Sequence, residues 1–588
     1  MRYRNHIPVL LISFLATLFV AYSCSPSSVI EDDKPEVMND GVYEGIGEGR
    51  NGMIKVAVTV ENHVITDVRV VQQSESSFAQ ETITTLINEI MQAQTTDGID
   101  AISGATLTSN GVIEAMTMAI NAALGVQPTI PEYKDTECDV VIVGAGGAGL
   151  AAAIEATASG ADVIVLEKRS FIGGNTNSST GGINAAETRF QEALGIKDSR
   201  TAFYNDIMTG GHQLNDVVLA HTLADKSSET LHWIADLGAD LTDVGTMAGS
   251  SIPRTHRPKG GLAIGPHLMK VLYDKAKEME IDIRTSNTVT DVKRASDGSV
   301  AGVEVQCSNG KSYSISSRAV ILATGGFGAN MKMVSQFRKD LEGFATVNHP
   351  GATGDAFAWV SKFRAELYQM EQIQTHPTVE IHKTVLITEA VRGNGAILVN
   401  RDGRRFVNEM DMRDAVSAAI LNQSEQSVFL VFDDGVRKSL ASIETYFDQG
   451  LVTEAASTIG LASKIGISGD TFSNTISAYN DFQKTGEDKD FSRTSMPLPL
   501  SKSPYYAIEV KPAIHHTMGG VHINADANVL DSDGNEIKGL FAAGEVTGGV
   551  HGGNRLGGNG VADIVVFGKT AGASATKVLL RERAIKLE

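Results

Sequence analysis

Two kinds of apolar pattern alternate along the chain. Residues 140–143 (VVIV) and 163–166 (VIVL) are short unbroken apolar runs, the pattern of strands buried on both faces. The Ala-rich stretch between them reads as a helix. RAVILATGGF (318–327) and GLFAAGEVTGG (539–549) each join an apolar strand to small residues. Residues 53–60 and 64–71 instead alternate apolar and polar positions around Glu61-Asn62-His63, which predicts a half-buried hairpin. Helical spacing follows at 78–91 and again in a stretch ending at Leu124, while GVYEGIGEGRNG (41–52) reads as turns. At the start, Arg2 and Arg4 precede an apolar run at 7–21, too short for a comfortable membrane span.

The glycines between the first two apolar runs add chemistry to this pattern. Gly144, Gly146 and Gly149 stand in G-x-G-x-x-G spacing, and Glu167 closes the second run. This is the dinucleotide-binding βαβ pattern. The first glycine permits a tight turn, the second lets backbone approach a pyrophosphate, and the third lets helix and strand pack closely. The helix N-terminus offers free N–H groups and partial positive charge to the phosphates. Glu167 is placed to accept hydrogen bonds from a ribose. IGGNT (172–176), TGGINA (180–185) and the two later strands supply further small-residue turns. Such scattered turns suit both ends of an extended FAD, bound non-covalently; an NAD site does not need them.

Composition narrows the partners. The 588 residues are enough for several domains, and a net charge of −20 argues against nucleic acid. Cys24, Cys138 and Cys307 are too few for a disulfide framework or a zinc site, and no metal is expected. Residues 1–24 resemble a bacterial lipoprotein signal, which implies lipidation of Cys24, a lipid anchor and an extracytoplasmic location. Residues 25–40 read as a polar tether.

Asp100-Ala101-Ile102-Ser103-Gly104-Ala105-Thr106 resembles the flavin-attachment motif of FMN-binding domains. The resemblance implies FMN carried covalently on Thr106 by a phosphoester bond that a dedicated flavin transferase makes. The same stretch also reads as a helix start, with Thr108 or Ser109 bonding the following N–H groups. The fold class that results is α/β. A small α+β FMN-binding domain (41–125) and a linker (126–137) precede a Rossmann-like FAD-binding domain (138–370 and 516–588). An α+β capping domain (371–515) is inserted into the latter. The cleft between two such domains is the default place for a substrate.

From about Gly41 onward the chain resembles the soluble fumarate reductase group of flavoproteins, including the flavocytochrome c enzymes and their urocanate- and acrylate-reducing relatives. The residues that carry the resemblance are GAGGAGLAAA, GGNT, RTHRPKGG, ATGGFG, QTHPT, TEAVRG, NEMDMRD, HHTMGG and GEVTGGVHGGNRLGGN. It implies Arg413 as proton donor and Glu389 and Arg392 as the relay that reprotonates it. It implies His515 and Arg555 as the clamp on one substrate carboxylate and His376 and Thr388 as the clamp on a second, with Gly181 and Gly558 beside the substrate. For FAD it adds Ala148, Asn175, Thr176, Gly181, Gly182, Val289, Asp355, His516 and Glu545 to Gly144, Gly146, Gly149 and Glu167. Met247 and Leu386 would border the site.

The residue types suit the implied reaction. Arginine grips a carboxylate with two parallel bonds. Reduced flavin delivers hydride to the β-carbon of an activated alkene, and donors near the α-carbon stabilise the charge that builds there. Arginine is an unusual acid, with an ordinary pKa above about 12. His376 and Thr388 favour a dicarboxylate, hence fumarate to succinate; the urocanate-type relatives carry Tyr and Asp in those places. Acrylate, methacrylate, urocanate or cinnamate remain alternatives. A ketosteroid-type FAD dehydrogenase and a non-enzymatic electron carrier are two further classes. The tethered flavin suggests electrons from a membrane-linked donor, as in anaerobic respiration.

Overall fold

The computed structural model describes residues 37–49, 53–73, 75, 79–102, 105–125 and 133–585. The signal, Cys24, the tether through residue 36, Ser103, Gly104, residues 126–132 of the linker and the side chain of Thr106 lie outside the described residues. Three separate apolar cores divide the rest, one in the N-terminal domain, one around the central parallel sheet and one in the inserted segment.

In the N-terminal domain, strands Gly41–Glu48, Met53–Glu61 and Val64–Gln72 form an antiparallel sheet in that order. Asn62 and His63 both adopt positive φ, so the hairpin closes in a turn whose twist matches the strands. Helices Ala79–Ala93 and Thr106–Ala123 cover one face. The glycine-rich stretch from residue 41 is a strand, not the series of turns its composition suggested. Its glycines answer to packing: a Cβ on Gly45 would lie 1.8 Å from Ala115 O, and one on Gly47 would lie 1.9 Å from Gly111 O. Helix Thr106–Ala123 therefore rests directly on strand backbone. The capping reading of the attachment stretch is also corrected. Thr108 Oγ1 donates to Glu75, and Ser109 Oγ accepts from Ile102 N upstream and donates to Ala105 O.

The central sheet has six strands, in the order Asp282–Arg284, Val163–Leu166, Val140–Val143, Ala319–Leu322, Glu536–Ala542 and Asn528–Leu530. All neighbours are parallel except the last pair. Strands Val140–Val143, Val163–Leu166 and Ala319–Leu322 are buried at every position, which accounts for their unbroken apolar character. Helix Gly147–Ala158 packs on this sheet beside the long helix Asn559–Ile585, which also touches it.

The inserted segment folds on an antiparallel sheet ordered Ile373–Glu380, Tyr505–Thr517, Val428–Asp433 and Ile397–Val399, with the short strand Thr453–Ala455 also paired to Tyr505–Thr517. Its strand Tyr505–Thr517 runs from the cap's core to the central domain. His515 and His516 therefore stand at the seam between the two: His516 is opposite Gln374 of the neighbouring strand, and His515 sits at the irregularity between that pair and the pair Thr375 with Ile514.

Candidate active site

A cavity of about 510 Å³ runs along this seam. Gly144, Gly146, Ala148, Glu167, Asn175, Thr176, Gly181, Gly182, Val289, Asp355, His516 and Glu545 border it, and so do His376, Thr388, Glu389, Arg413, His515, Arg555 and Gly558. Met247 and Leu386 border it as well. Gly149 and Arg392 are buried but do not line it. Helix Thr106–Ala123 begins at Thr106, and Ala105 and Thr108, on either side of that residue, reach the same cavity.

The nucleotide end fits FAD. Gly144 turns at φ +109, and a Cβ there would lie 2.3 Å from Ala323 O. A Cβ on Gly146, in contrast, would meet nothing closer than 3.7 Å, so this face is open to a ligand. Helix Gly147–Ala158 starts at Gly146 without a side-chain cap, which leaves its N-terminus facing the cavity. Glu167 is held by Ala145 N at 3.0 Å and Arg169 N at 2.9 Å, and burial raises its pKa. Asp355 pairs with Lys168 at 2.7 Å. Glu545 accepts from Thr517 N at 3.0 Å and from Asn175 Nδ2 at 3.0 Å, and burial raises its pKa too. His516 Nε2 is buried and has no hydrogen-bond partner among the described residues, as expected of a group that meets a polar ligand.

At the other end, Arg413 opens helix Arg413–Leu421, while Thr388 and Glu389 open helix Glu389–Gly393. Arg413 Nε donates to Glu389 Oε2 at 2.9 Å and its Nη1 to Gln374 Oε1 at 3.2 Å. Its Nη2 has no partner among the described residues. Burial alone would raise the Glu389 pKa, but Arg413 and Arg392 outweigh it and hold the carboxylate below its ordinary value. Helix Glu389–Gly393 puts Arg392 three residues on, with Nη2 3.8 Å from Glu389 Oε2. Arg392 is fully buried, donates to Glu409 O, and has its pKa pulled down by burial to about 10.

The two histidines flanking Arg413 are neutral, burial being the first cause and Arg413 the second. Arginine only donates, so the 2.9 Å contact of Arg555 Nη2 with His515 Nε2 makes that nitrogen an acceptor and puts the ring's proton on Nδ1. His376 Nδ1 accepts from Thr378 N at 3.3 Å, which leaves Nε2–H as that ring's donor. The Thr388 hydroxyl does not cap its helix, and Thr388 N donates to Tyr446 OH at 2.9 Å. Arg555 is buried, makes no ion pair among the described residues, and has its pKa lowered by burial, then by Arg413, to about 9.

Three contributors escaped the sequence reading. Gln374 stood inside a quoted motif, but only its pairing across the seam gives it a role. Lys168 follows Glu167 and has no pattern of its own. Ala248 acts through its backbone: its N–H donates to Glu389 Oε1 at 2.8 Å, a contact no side-chain pattern encodes.

Comparison with known proteins points to the same fold and the same two flavins. Residues 139–561 match the FAD binding domain family and residues 49–121 the FMN-binding domain family. The chain is 47% identical over 439 residues to "Fumarate reductase (cytochrome)" of Shewanella frigidimarina, covering 75% of this chain and 77% of that protein. It is 41% identical over 538 residues to "NADH:fumarate oxidoreductase" of Klebsiella pneumoniae, covering 91% of this chain and 58% of that protein. Among solved structures, the open conformation of a flavocytochrome c3 fumarate reductase superposes with a TM-score of 0.65 at 42% identity, over 76% of this chain and 79% of that one. The chain thus belongs to the fumarate reductase family of FAD-binding oxidoreductases that act on CH–CH groups, and it carries an FMN-binding domain ahead of the FAD domain.

Proposed function

We propose that this protein reduces an α,β-unsaturated carboxylate, fumarate to succinate. The observation that carries the reading is Arg555: a buried guanidinium with no carboxylate partner among the described residues calls for an anionic ligand. FAD, when bound and reduced, supplies a hydride to the β-carbon.

The chain's own residues do the rest. Arg555 and the Nδ1–H of His515 take one carboxylate. The Nε2–H of His376 and the Thr388 hydroxyl take the other. Arg413, fixed by Glu389 and Gln374, turns its unpartnered Nη2 to the substrate and gives the α-carbon a proton. A replacement proton passes from Arg392 by way of the Glu389 carboxylate to the neutral Arg413 left behind. One hydride and one proton convert fumarate to succinate. Gly181 and Gly558 keep the wall close to the substrate, and Met247 and Leu386 shape its apolar part.

Electrons reach FAD in this reading through FMN attached by a flavin transferase to Thr106, from a membrane-linked donor, in anaerobic respiration. The signal at residues 1–24 and lipidation at Cys24 would hold the protein outside the cytoplasmic membrane. The test is to reduce the protein with a low-potential dye and mix it with fumarate, acrylate, methacrylate, urocanate and cinnamate in turn. Fastest reoxidation by fumarate supports the reading. Preference for another enoate removes the dicarboxylate assignment, and reoxidation by none removes the reductase reading.

A further inference from the structure

Among the described residues, the FMN-binding and FAD domains meet at a cluster of polar contacts on the turn that follows Glu167. Arg169 Nε lies 2.8 Å from Glu48 Oε1, and Arg169 Nη2 donates to Gly49 O at 3.0 Å. Ser170 N donates to the second Glu48 oxygen at 3.0 Å, and Ser170 Oγ donates to Glu114 Oε2 at 3.1 Å. Glu48 N donates to the same Glu114 oxygen at 3.0 Å, so strand and helix of the small domain present their carboxylates together. The arginine side chain is only 11% exposed, and Glu48 is 28% exposed.

We infer that residues 167–170 are a docking seat for the FMN-binding domain and that the Glu48–Arg169 pair is its latch. The inference rests on the reading of Thr106 as the flavin-bearing residue. The seat has two sides. The Glu167 side chain lines the FAD cavity and takes the backbone N–H of Arg169 at 2.9 Å, while the Arg169 side chain holds the other domain. With the latch made, Ala105 and Thr108 border the same cavity as Lys168 and Arg169. Residue 106 thus begins its helix at the rim of the FAD site, the arrangement that electron passage between two flavins requires.

The contact consists of charges and backbone groups, not of a shared apolar core, because the small domain has a core of its own. Interfaces of this kind within one chain separate and re-form, with the covalent connection keeping the effective concentration high. The latch then sets the fraction of time the domain is seated. The arginine's ion pair with a carboxylate and its hydrogen bond to a carbonyl tie this seat to two groups of the small domain at once.

The test uses the full chain carrying both flavins. Glu48→Arg places like charges together on the small domain's side, where Glu48 lines no cavity. Amide exchange at Ser170 and at residues 45–49 should become at least about tenfold faster, and small-angle scattering should report a larger radius of gyration. Combining it with Arg169→Glu restores an opposite pair and should reverse the expansion. Unchanged exchange and scattering in Glu48→Arg overturn the proposal, as does an expansion that the double variant leaves in place. FMN content after Thr106→Ala is measured separately: retained covalent FMN defeats the attachment reading without touching the docking result.

Discussion

Arg413 and Glu389 meet at 2.9 Å inside the seam between two domains, and both come from the cap. Glu389's other oxygen is taken by Ala248 N–H of the FAD domain at 2.8 Å. The carboxylate is therefore oriented by one domain and paired by the other. Its geometry is complete when the domains are together, so the proposed proton relay depends on both of them.

The FAD site depends on the first glycine of the nucleotide turn. Gly144→Ala combines a φ of +109 with a Cβ 2.3 Å from a carbonyl oxygen. Purified protein should lose most of its FAD while keeping covalent FMN. Acid precipitation checks this, since FAD stays in the supernatant and FMN stays with the pellet. Wild-type FAD content in the variant would contradict the assignment.

Arg555→Met removes a buried charge from the proposed substrate clamp and leaves His515 without its partner. The loss of a charge-assisted pair is worth about 2 kcal/mol or more, so KM for fumarate should rise roughly thirtyfold or more. Steady-state kinetics with a reduced dye measure it, and an unchanged KM would remove Arg555 from the clamp.

In the proposed reading His376 and Thr388 carry the dicarboxylate preference. Exchanging them together for Tyr and Asp should lower kcat/KM for fumarate by about a hundredfold while urocanate loses less or gains. A parallel fall for both substrates would mean that the two residues hold the fold and not the choice of substrate.

Acid should destabilise the protein, and His256 gives the sign. Its Nδ1–H donates to Arg254 O at 2.9 Å and its Nε2 accepts from Thr188 Oγ1 at 2.8 Å, so the folded ring is neutral. Burial lowers its pKa to about 4. The unfolded value is about 6.5, so the unfolded chain alone binds a proton between these limits. Stability is full above about 6.5 and falls by roughly 3 kcal/mol as pH drops toward 4. His376, His515 and His516, lowered first by burial, act in the same direction. Glu545 and Glu167, raised by burial, act oppositely: their contribution is full below the ordinary carboxylate value and is lost as pH rises through the folded one. Denaturation midpoints at neutral and acidic pH should therefore diverge less in His256→Gln than in the wild type.

Much of this was legible in the chain. Strands buried on both faces announce themselves as apolar runs, and the G-x-G-x-x-G turn places Glu167 and the helix N-terminus by spacing alone. The strand Gly41–Glu48 was not legible, because its glycines serve a helix lying some seventy residues further along. Composition reports that glycine is present but not whether a turn or a close neighbour requires it. The pairings around Arg413 were illegible for another reason. Arg413, Glu389, Gln374 and Ala248 come from four separated segments, and only the fold brings their atoms within bonding distance. The tautomers of His376 and His515 follow from the donors beside them and from nothing in the sequence.

In the proposed mechanism Arg413 protonates the substrate carbon. The most direct test of that step is a single turnover. Arg413→Ala, loaded with FAD and reduced by dye, is mixed with fumarate, and flavin reoxidation is followed together with succinate formed. Reoxidation at least about a hundredfold slower than in the wild type, with FAD still bound, is the predicted result. Reoxidation at the wild-type rate with succinate as product would contradict the account and move the proton donor elsewhere in the cavity.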